Sequence, residues 1–327
     1  MKPFSRCLAG IAAGLALVSA LAGSDRLAAQ PAAWPSQSVK IIVPLSAGSV
    51  TDILSRAISD KLARAWGQPV VVENRPGIAG TASVAKGAND NHTVLMTSNG
   101  HAVLGVMNKN LSFDPLADFT AVSQVASVPF ILIAAPTFEV KALKDLIAAA
   151  KAQPGKLNFA SPGLGTSAHI LSELFKNSAG IDVVMVPYKG APDAHMSVLR
   201  GDAQMFFSAV NIGLEYIAAG KVRPVAIAAR QRHAKLSELP TIAEAGIPGF
   251  SYDAWFGLLA PSSTPKAVVE RIATDVAKVI GDADTKASFD KQGLEPVVTG
   301  PERFDRMLRE DTARYSKLFR EIGIGAK

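Results

Sequence analysis

Cysteine is nearly missing: the 327 residues hold one, Cys7, inside an N-terminal apolar stretch. Without that stretch the chain has no thiol, which excludes disulfide staples, cysteine nucleophiles and thiolate metal sites. A chain of about 300 residues buries enough core to stand without staples, and that length suggests two domains. Histidine is scarce as well. None of His92, His101, His169, His195 and His233 has another His at i, i+4, and no Cys is available, so no metal site and no cofactor are expected. Charged residues make up 19%, and their Lys and Arg are scattered without a basic run or a nucleic-acid module. The net charge of +6 therefore favours anions weakly and gives no support for nucleic-acid binding. Walker and strand–G-x-G-x-x-G–helix motifs are absent, and no later apolar run reaches membrane length.

What is present starts with a leader. Lys2 and Arg6 precede an uncharged run from Cys7 to Leu21, shorter than the roughly 20 residues that span a bilayer. Small residues follow, with Ala20-Leu21-Ala22 and Leu27-Ala28-Ala29 as A-x-A-like sites. Residues 1–29 are expected to be a signal peptide cleaved after Ala22 or Ala29, which predicts a periplasmic protein. The alternative is an uncleaved anchor. Cys7 lies ahead of the apolar core rather than at its end, which speaks against a lipoprotein.

Beyond Trp34, short apolar runs alternate with amphipathic stretches, the pattern of βαβ units. Strands are expected at Val39–Pro44, Val70–Glu73 and Thr93–Thr97, with helices at Asp52–Trp66 and Ala79–Lys86 between them. A second series follows, from a helix at Leu143–Ala152 to a strand at Val222–Ala229. Helices at Lys266–Ile280, Thr285–Gln292 and Pro301–Ile322 close the chain. Two continuous apolar runs, Val128–Pro136 and Asp253–Pro261, bracket the middle series. Periodicity alone also allows two sequential domains split near Pro136.

Two loops share one design. Leu45-Ser-Ala-Gly-Ser-Val-Thr51, with Ser46, Ala47, Gly48 and Ser49, and Ser161-Pro-Gly-Leu-Gly-Thr-Ser167, with Gly163, Gly165 and Thr166, each follow a strand and open a helix. Glycine lets backbone N–H groups approach a ligand, and the first amides of a helix have no internal acceptor. Such an end attracts anions. Ordinary N-capping explains either loop taken singly. Two of them in separate domains point to one anion held from both sides, with His169 in the first turn of the second helix as a further contact. Trp255 and Phe256, in the second apolar run, are candidates to line the cleft; plain core packing is the alternative.

Enzyme motifs are weak. Gly165-Thr-Ser-Ala-His169 lacks the last glycine of G-x-S-x-G, and Ser83-Val-Ala-Lys86 stands without the S-D-N or K-T-G of the S-x-x-K enzymes.

The chain resembles the Bug-type solute receptors of tripartite tricarboxylate transporters. The likeness runs from Trp34 nearly to the C-terminus, through Ile42-Val-Pro44 with Ala47-Gly48 and Asp52, Val72-Glu-Asn-Arg-Pro-Gly77, Phe159–His169 and Val186-Pro-Tyr-Lys-Gly-Ala191. It continues through Ala219–Arg223, Leu239–Gly246 and Trp255–Pro261 with Thr264-Pro265. The resemblance implies an α/β, two-domain type II periplasmic-binding fold, each domain a mainly parallel sheet flanked by helices, joined by two crossing strands. Residues 34–131 plus 256–327 would form domain I and 132–255 domain II.

It also implies that Leu45 through Asp52 and Ser161 through His169 grip a carboxylate, with Ser98, Asn99, Tyr188 and Ser208 nearby. Asp52 is expected to brace its loop, since a carboxylate repels an anion. Three positions depart from the family pattern: Gly48-Ser49 for Gly-Gly, Asn89-Asp-Asn-His92 for Asp-Gly-Tyr, and Ser208 where many members have Asp. The last leans against an amino acid ligand, whose ammonium would want the acid.

The expected function is thus a monomeric, non-enzymatic periplasmic receptor. It captures a small organic anion for the permease subunits of a tripartite tricarboxylate transporter. The alternatives are a periplasmic hydrolase using Ser167 and His169, or a ligand-sensing component of a signalling system.

Overall fold

The Val/Ile-rich runs become strands and the amphipathic stretches between them become crossover helices. The computed structural model describes residues 34–87, 91–252 and 254–323. The expected leader and both cleavage sites lie outside the described residues, as do Asn89 and Asp90 of the variant turn and Asp253 of the second apolar run. From Gln37 onward the described residues pack as one compact unit.

The chain begins β1 (Val39–Val43), α1 (Val50–Trp66), β2 (Val70–Asn74), α2 (Ile78–Gly87) and β3 (Thr93–Ser98). A 3-10 turn, Asn99–Val103, then runs into a single helical turn at Leu104–Met107. In α1 the buried Leu54, Ile58, Leu62 and Trp66 recur every four residues, and Gly67 ends the helix in the left-handed conformation at φ +65°. The middle series is β4 (Phe119–Val128), β5 (Phe130–Ala134), α3 (Leu143–Ala152), β6 (Asn158–Ser161), α4 (Ser167–Ala179), β7 (Val184–Pro187), α5 (Ala191–Arg200), β8 (Met205–Ala209), α6 (Val210–Ala218) and β9 (Arg223–Ala228). The chain ends with β10 (Ala254–Pro261), α7 (Lys266–Gly281), α8 (Ala283–Gln292), β11 (Glu295–Pro296) and α9 (Pro301–Glu321).

These strands form two sheets, in the orders β11-β4-β10-β3-β1-β2 and β7-β6-β8-β5-β9. The parallel part of each is confined to three strands, β2-β1-β3 and β7-β6-β8. β10, β4 and β5 run antiparallel to their neighbours, so both sheets are mixed. This follows from connectivity: crossover helices enforce parallel pairing, whereas strands that leave or re-enter a sheet run against it.

The run Val128–Pro136 is therefore not one strand. It contains the crossing itself, with Val128 ending β4 in the first sheet, Pro129 between, and Phe130 opening β5 in the second. Among the described residues the return path is 229–252, and β10 lies wholly in the first sheet. β4 escapes a hydrophobicity reading because it buries Ser123 and Gln124. The Ser123 hydroxyl donates to the Thr299 carbonyl at 2.9 Å, and the Thr299 hydroxyl accepts from the Gln124 amide at 3.4 Å, so their burial leaves no polar group stranded. No helix among the described residues is long and apolar enough to cross a membrane.

Candidate functional site

β1 and β6 each deliver a glycine-bearing loop to the N-terminus of a helix, and the two helix ends face one cleft. In the first loop Gly48 adopts φ +78° and its amide donates to Asp52 Oδ2 at 3.0 Å. Asp52 Oδ1 accepts from Arg56 Nε at 3.0 Å. Burial alone would raise the Asp52 carboxyl; the Arg56 bond, the Gly48 amide and Asn74 outweigh it and hold the group below its ordinary range. Asn74 also braces the loop, donating to the Leu45 carbonyl at 3.1 Å, which gives the Glu-Asn-Arg-Pro-Gly stretch a local purpose. Ser49 is the N-cap of α1 and accepts from the Asp52 amide at 3.3 Å.

The second loop is built alike. Gly163 and Gly165 take φ +127° and +74°. Thr166 caps α4, accepting from the His169 amide at 3.3 Å while its hydroxyl donates to the Gly163 carbonyl at 2.9 Å. Ser161 donates to the same carbonyl at 3.2 Å, and His169 Nδ1 accepts from the Gly165 amide at 3.2 Å. Capping and loop bracing thus use the side chains of Ser49, Thr166 and His169. Left over are the amides of Val50 and Thr51 on one helix and Ser167 and Ala168 on the other, which meet no acceptor among the described residues.

Val50, Ser167 and Ala168 line one cavity of about 60 Å³ together with Leu45, Ser46, Ser49, Ser98, Thr166 and Phe256. A second cavity of about 360 Å³, within the range usual for small-molecule sites at about 300–1,000 Å³, shares Leu45, Ser46, Ser98, Pro162 and Thr166 with it and adds Thr51, Gly163, Gly165, Tyr188 and Lys189. Neither lining contains Asp or Glu, and Lys189 is the one charged side chain in both. Among the described residues no cluster of His, Cys, Asp or Glu is arranged to hold a metal ion.

The two sides of the cleft touch. A Cβ at Gly100, in the 3-10 turn, would stand 1.9 Å from the Gly165 carbonyl oxygen, and one at Gly190 would stand 2.3 Å from Ser46 Oγ. Three buried side chains close a ring across the gap. Ser167 Oγ donates to Asn99 Oδ1 at 2.6 Å, Asn99 Nδ2 donates to Tyr252 OH at 2.8 Å, and Tyr252 OH donates to the Ser167 carbonyl at 3.0 Å. Burial pushes the Tyr252 phenol well above its ordinary value, so it stays a donor.

Of the residues singled out from sequence, Leu45, Ser46, Ser49, Thr51, Ser98, Gly163, Gly165, Thr166, Ser167, Tyr188 and Phe256 line the cleft. Others do not reach it. Asp52, His169 and Ser161 brace the loops from behind, and Asn99 belongs to the ring. Ala47 and Gly48 shape their turn. Ser208 contacts His195 Nε2 at 2.7 Å beneath the lining. Trp255 is a correction: β-strand alternation turns it to the face opposite Phe256, where its indole donates to Asp311 Oδ2 at 2.7 Å and meets the Phe304 ring edge-on at 5.1 Å.

The pairing needed for a Ser167–His169 hydrolase is not formed, because Ser167 is bonded to Asn99 and His169 Nδ1 to a loop amide. Sequence reasoning missed Phe130, Gly190, Ala191, His195, Phe206, Ala209 and Ile212, which complete the first cavity. Gly190 and Ala191 stood inside a recognised motif. The others have no local signature.

A family model described as the tripartite tricarboxylate transporter family receptor matches residues 54–324. The chain belongs to that family. A UPF0065 protein from the tcbD-tcbE intergenic region of a Pseudomonas species is 35% identical, over 98% of this chain and 95% of its own. An adipate-bound protein of R. palustris has 32% identity and a TM-score of 0.85, covering 90% of this chain and 100% of that one. The periplasmic binding protein BugD has 26% identity and a TM-score of 0.84, covering 90% and 100%. The fold of this receptor is accordingly the type II periplasmic-binding fold.

Proposed function

We propose that this family member is a monomeric periplasmic receptor that captures a small carboxylate in the cleft and presents it, enclosed, to the permease subunits of a tripartite tricarboxylate transporter. The observation that supports this most directly is the convergence of four unpaired amides, from two opposed helix ends, on a cleft whose lining has no acidic side chain. A carboxylate there accepts from both sides at once, so its affinity depends on closure. In a cleft emptied of bulk water those bonds are stronger than at an open surface. The adipate found in the R. palustris relative fits this chemistry. The two halves built on the sheets act as domains hinged at Pro129 and at residues 229–252, and no chemical step is involved.

The test is a thermal-shift and calorimetric screen of the mature chain against organic acids. A carboxylate that binds the folded state raises the melting temperature with concentration, by about 2.7 kcal/mol of stability at a hundred times Kd. Failure of every acid in a broad panel to do so would overturn the proposal. Fractionation of expressing cells tests the compartment, and light scattering tests the monomer.

A further inference from the structure

The two cavities of the cleft differ in size and in what they offer. The first holds about 60 Å³, room for a carboxylate head and little more. Donors crowd it. The unpaired amides of Val50, Ser167 and Ala168 lie on its wall, and α5 and α6 also begin there, at Ala191 and Val210, without a capping side chain. A negative group belongs in that space. The second cavity holds about 360 Å³ and shares one wall with the first, so it is the place for the rest of the ligand.

His101 lines this second cavity and is only 2% exposed. Its Nε2 lies 2.7 Å from the Pro115 carbonyl, which can only accept, so Nε2 carries the hydrogen and Nδ1 is a bare acceptor. Burial lowers the pKa to about 4, so the ring stays neutral at neutral pH. Phe119 meets it edge-on at 4.9 Å and holds its plane. Among the described residues three buried side-chain atoms lack a hydrogen-bond partner: His101 Nδ1, Asn211 Oδ1 and Thr264 Oγ1. His101 is the one of the three that lines either cavity of the cleft. Buried polar atoms are nearly always paired, so an orphan on the wall of a binding cavity marks where a ligand's donor goes.

The chemistry of the lining narrows that donor. An ammonium would find no Asp or Glu in either cavity and would share the second with Lys189. An ionised carboxylate has no hydrogen to give. An alcohol donates and brings no charge.

We propose that His101 is a specificity-determining residue: with the ligand's carboxylate in the first cavity, His101 Nδ1 accepts a hydrogen bond from a hydroxyl on the part that fills the second. This rests on the receptor reading above and narrows it from carboxylates in general to hydroxy acids. His101 follows Gly100, which abuts the Gly165 carbonyl across the gap, so the bond is made in the closed cleft.

Calorimetry on the mature chain with acids paired by carbon chain tests it: malate with succinate, 2-hydroxyglutarate with glutarate, 3-hydroxybutyrate with butyrate, and aspartate as the amine counterpart of malate. In the pair whose length suits the cleft, the hydroxy acid is expected to bind at least about tenfold tighter, because a site built for a hydroxyl rejects the analogue without one. Aspartate is expected to bind at least about tenfold more weakly than malate. His101→Phe keeps a ring and removes the acceptor, and should bring the ratio within the pair close to one. A purely structural role for His101 would weaken both members alike and keep the ratio. Equal binding within every pair, a ratio that survives in His101→Phe, or aspartate matching malate would overturn the inference while leaving the receptor reading intact. No binding by any acid of a broad panel would overturn both. Should His101→Phe not fold, as its unliganded melting temperature will report, the pairs on the unaltered chain still decide.

Discussion

Asn99 and Ser167 lie 68 residues apart, one following a strand of the first sheet and the other opening a helix beside the second, and they share a 2.6 Å hydrogen bond. Tyr252, from the return crossing, completes the ring with both. All three are buried, so removing one strands the polar groups of the other two. Asn99→Ala should weaken ligand binding by about tenfold or more, since an unsatisfied buried partner costs about 1–3 kcal/mol. Small-angle scattering should report a more extended unliganded particle. Unchanged affinity and dimensions would show that the ring does not hold the cleft shut.

The two glycines at the gap make opposite predictions. At Gly100 an added methyl meets the Gly165 carbonyl, which is backbone and cannot turn away. Gly100→Ala should therefore fold but close poorly, weakening ligand binding by at least about tenfold through the smaller closed population. At Gly190 the obstacle is the tip of Ser46, whose Cβ is 3.5 Å away, so the hydroxyl can rotate aside. Gly190→Ala should bind within about threefold of the original, a shift of less than 1 kcal/mol. Titration of both variants with one acid checks the pair.

Asp52 braces its loop from behind the cleft. Its carboxyl is held below the ordinary 3.8 by the Arg56 bond and the Gly48 and Asn74 contacts, against the opposing effect of burial. A depressed carboxyl stabilises the fold fully above its unfolded pKa and loses that contribution as pH falls through the folded value. Asp52→Asn should cost about 1.5–3 kcal/mol at neutral pH, as for hydrogen bonds to a charged group. The deficit should shrink below pH 3.8. Urea melts at neutral and acid pH measure both; an equal deficit at each would refute the charge-based explanation.

His101, His169 and His195 all have pKa values lowered from 6.5 to about 4, chiefly by burial. Each is buried neutral, so the unfolded chain takes up more protons between these values. Stability from the neutral rings is complete above pH 6.5 and falls as pH drops toward about 4. The slope is up to about 1.4 kcal/mol per pH unit for each ring. Binding by the folded protein, in contrast, should stay flat from neutral to mildly acid pH. Chemical denaturation and calorimetry across that window separate the two.

The fold was legible wherever periodicity and composition coincide. α1 repeats buried residues every four positions, and β1 is nearly all Val and Ile, so both were readable. β4 was not, because its buried serine and glutamine are satisfied by Thr299, some 175 residues downstream, and no local window contains that partner. α6, opening at Val210 directly after β8, was likewise missed for want of a loop between them. In the site, the two loops announce themselves through Gly, Ser and Thr ahead of helices. The apolar wall does not, since Phe130, Phe206 and Ile212 look like core residues anywhere. Trp255 misled for the opposite reason: an aromatic beside Phe256 suggests a shared surface, and strand alternation forbids it.

A single imino acid stands between the last rung of one ladder at Val128 and the first rung of the next at Phe130, and the carbonyl of Pro129 is itself tethered by the Val210 amide at 2.9 Å. With so little slack the halves can swing but not slide. The spacing of the two loops across the cleft is then governed by backbone lying outside it, at Pro129 and Val210.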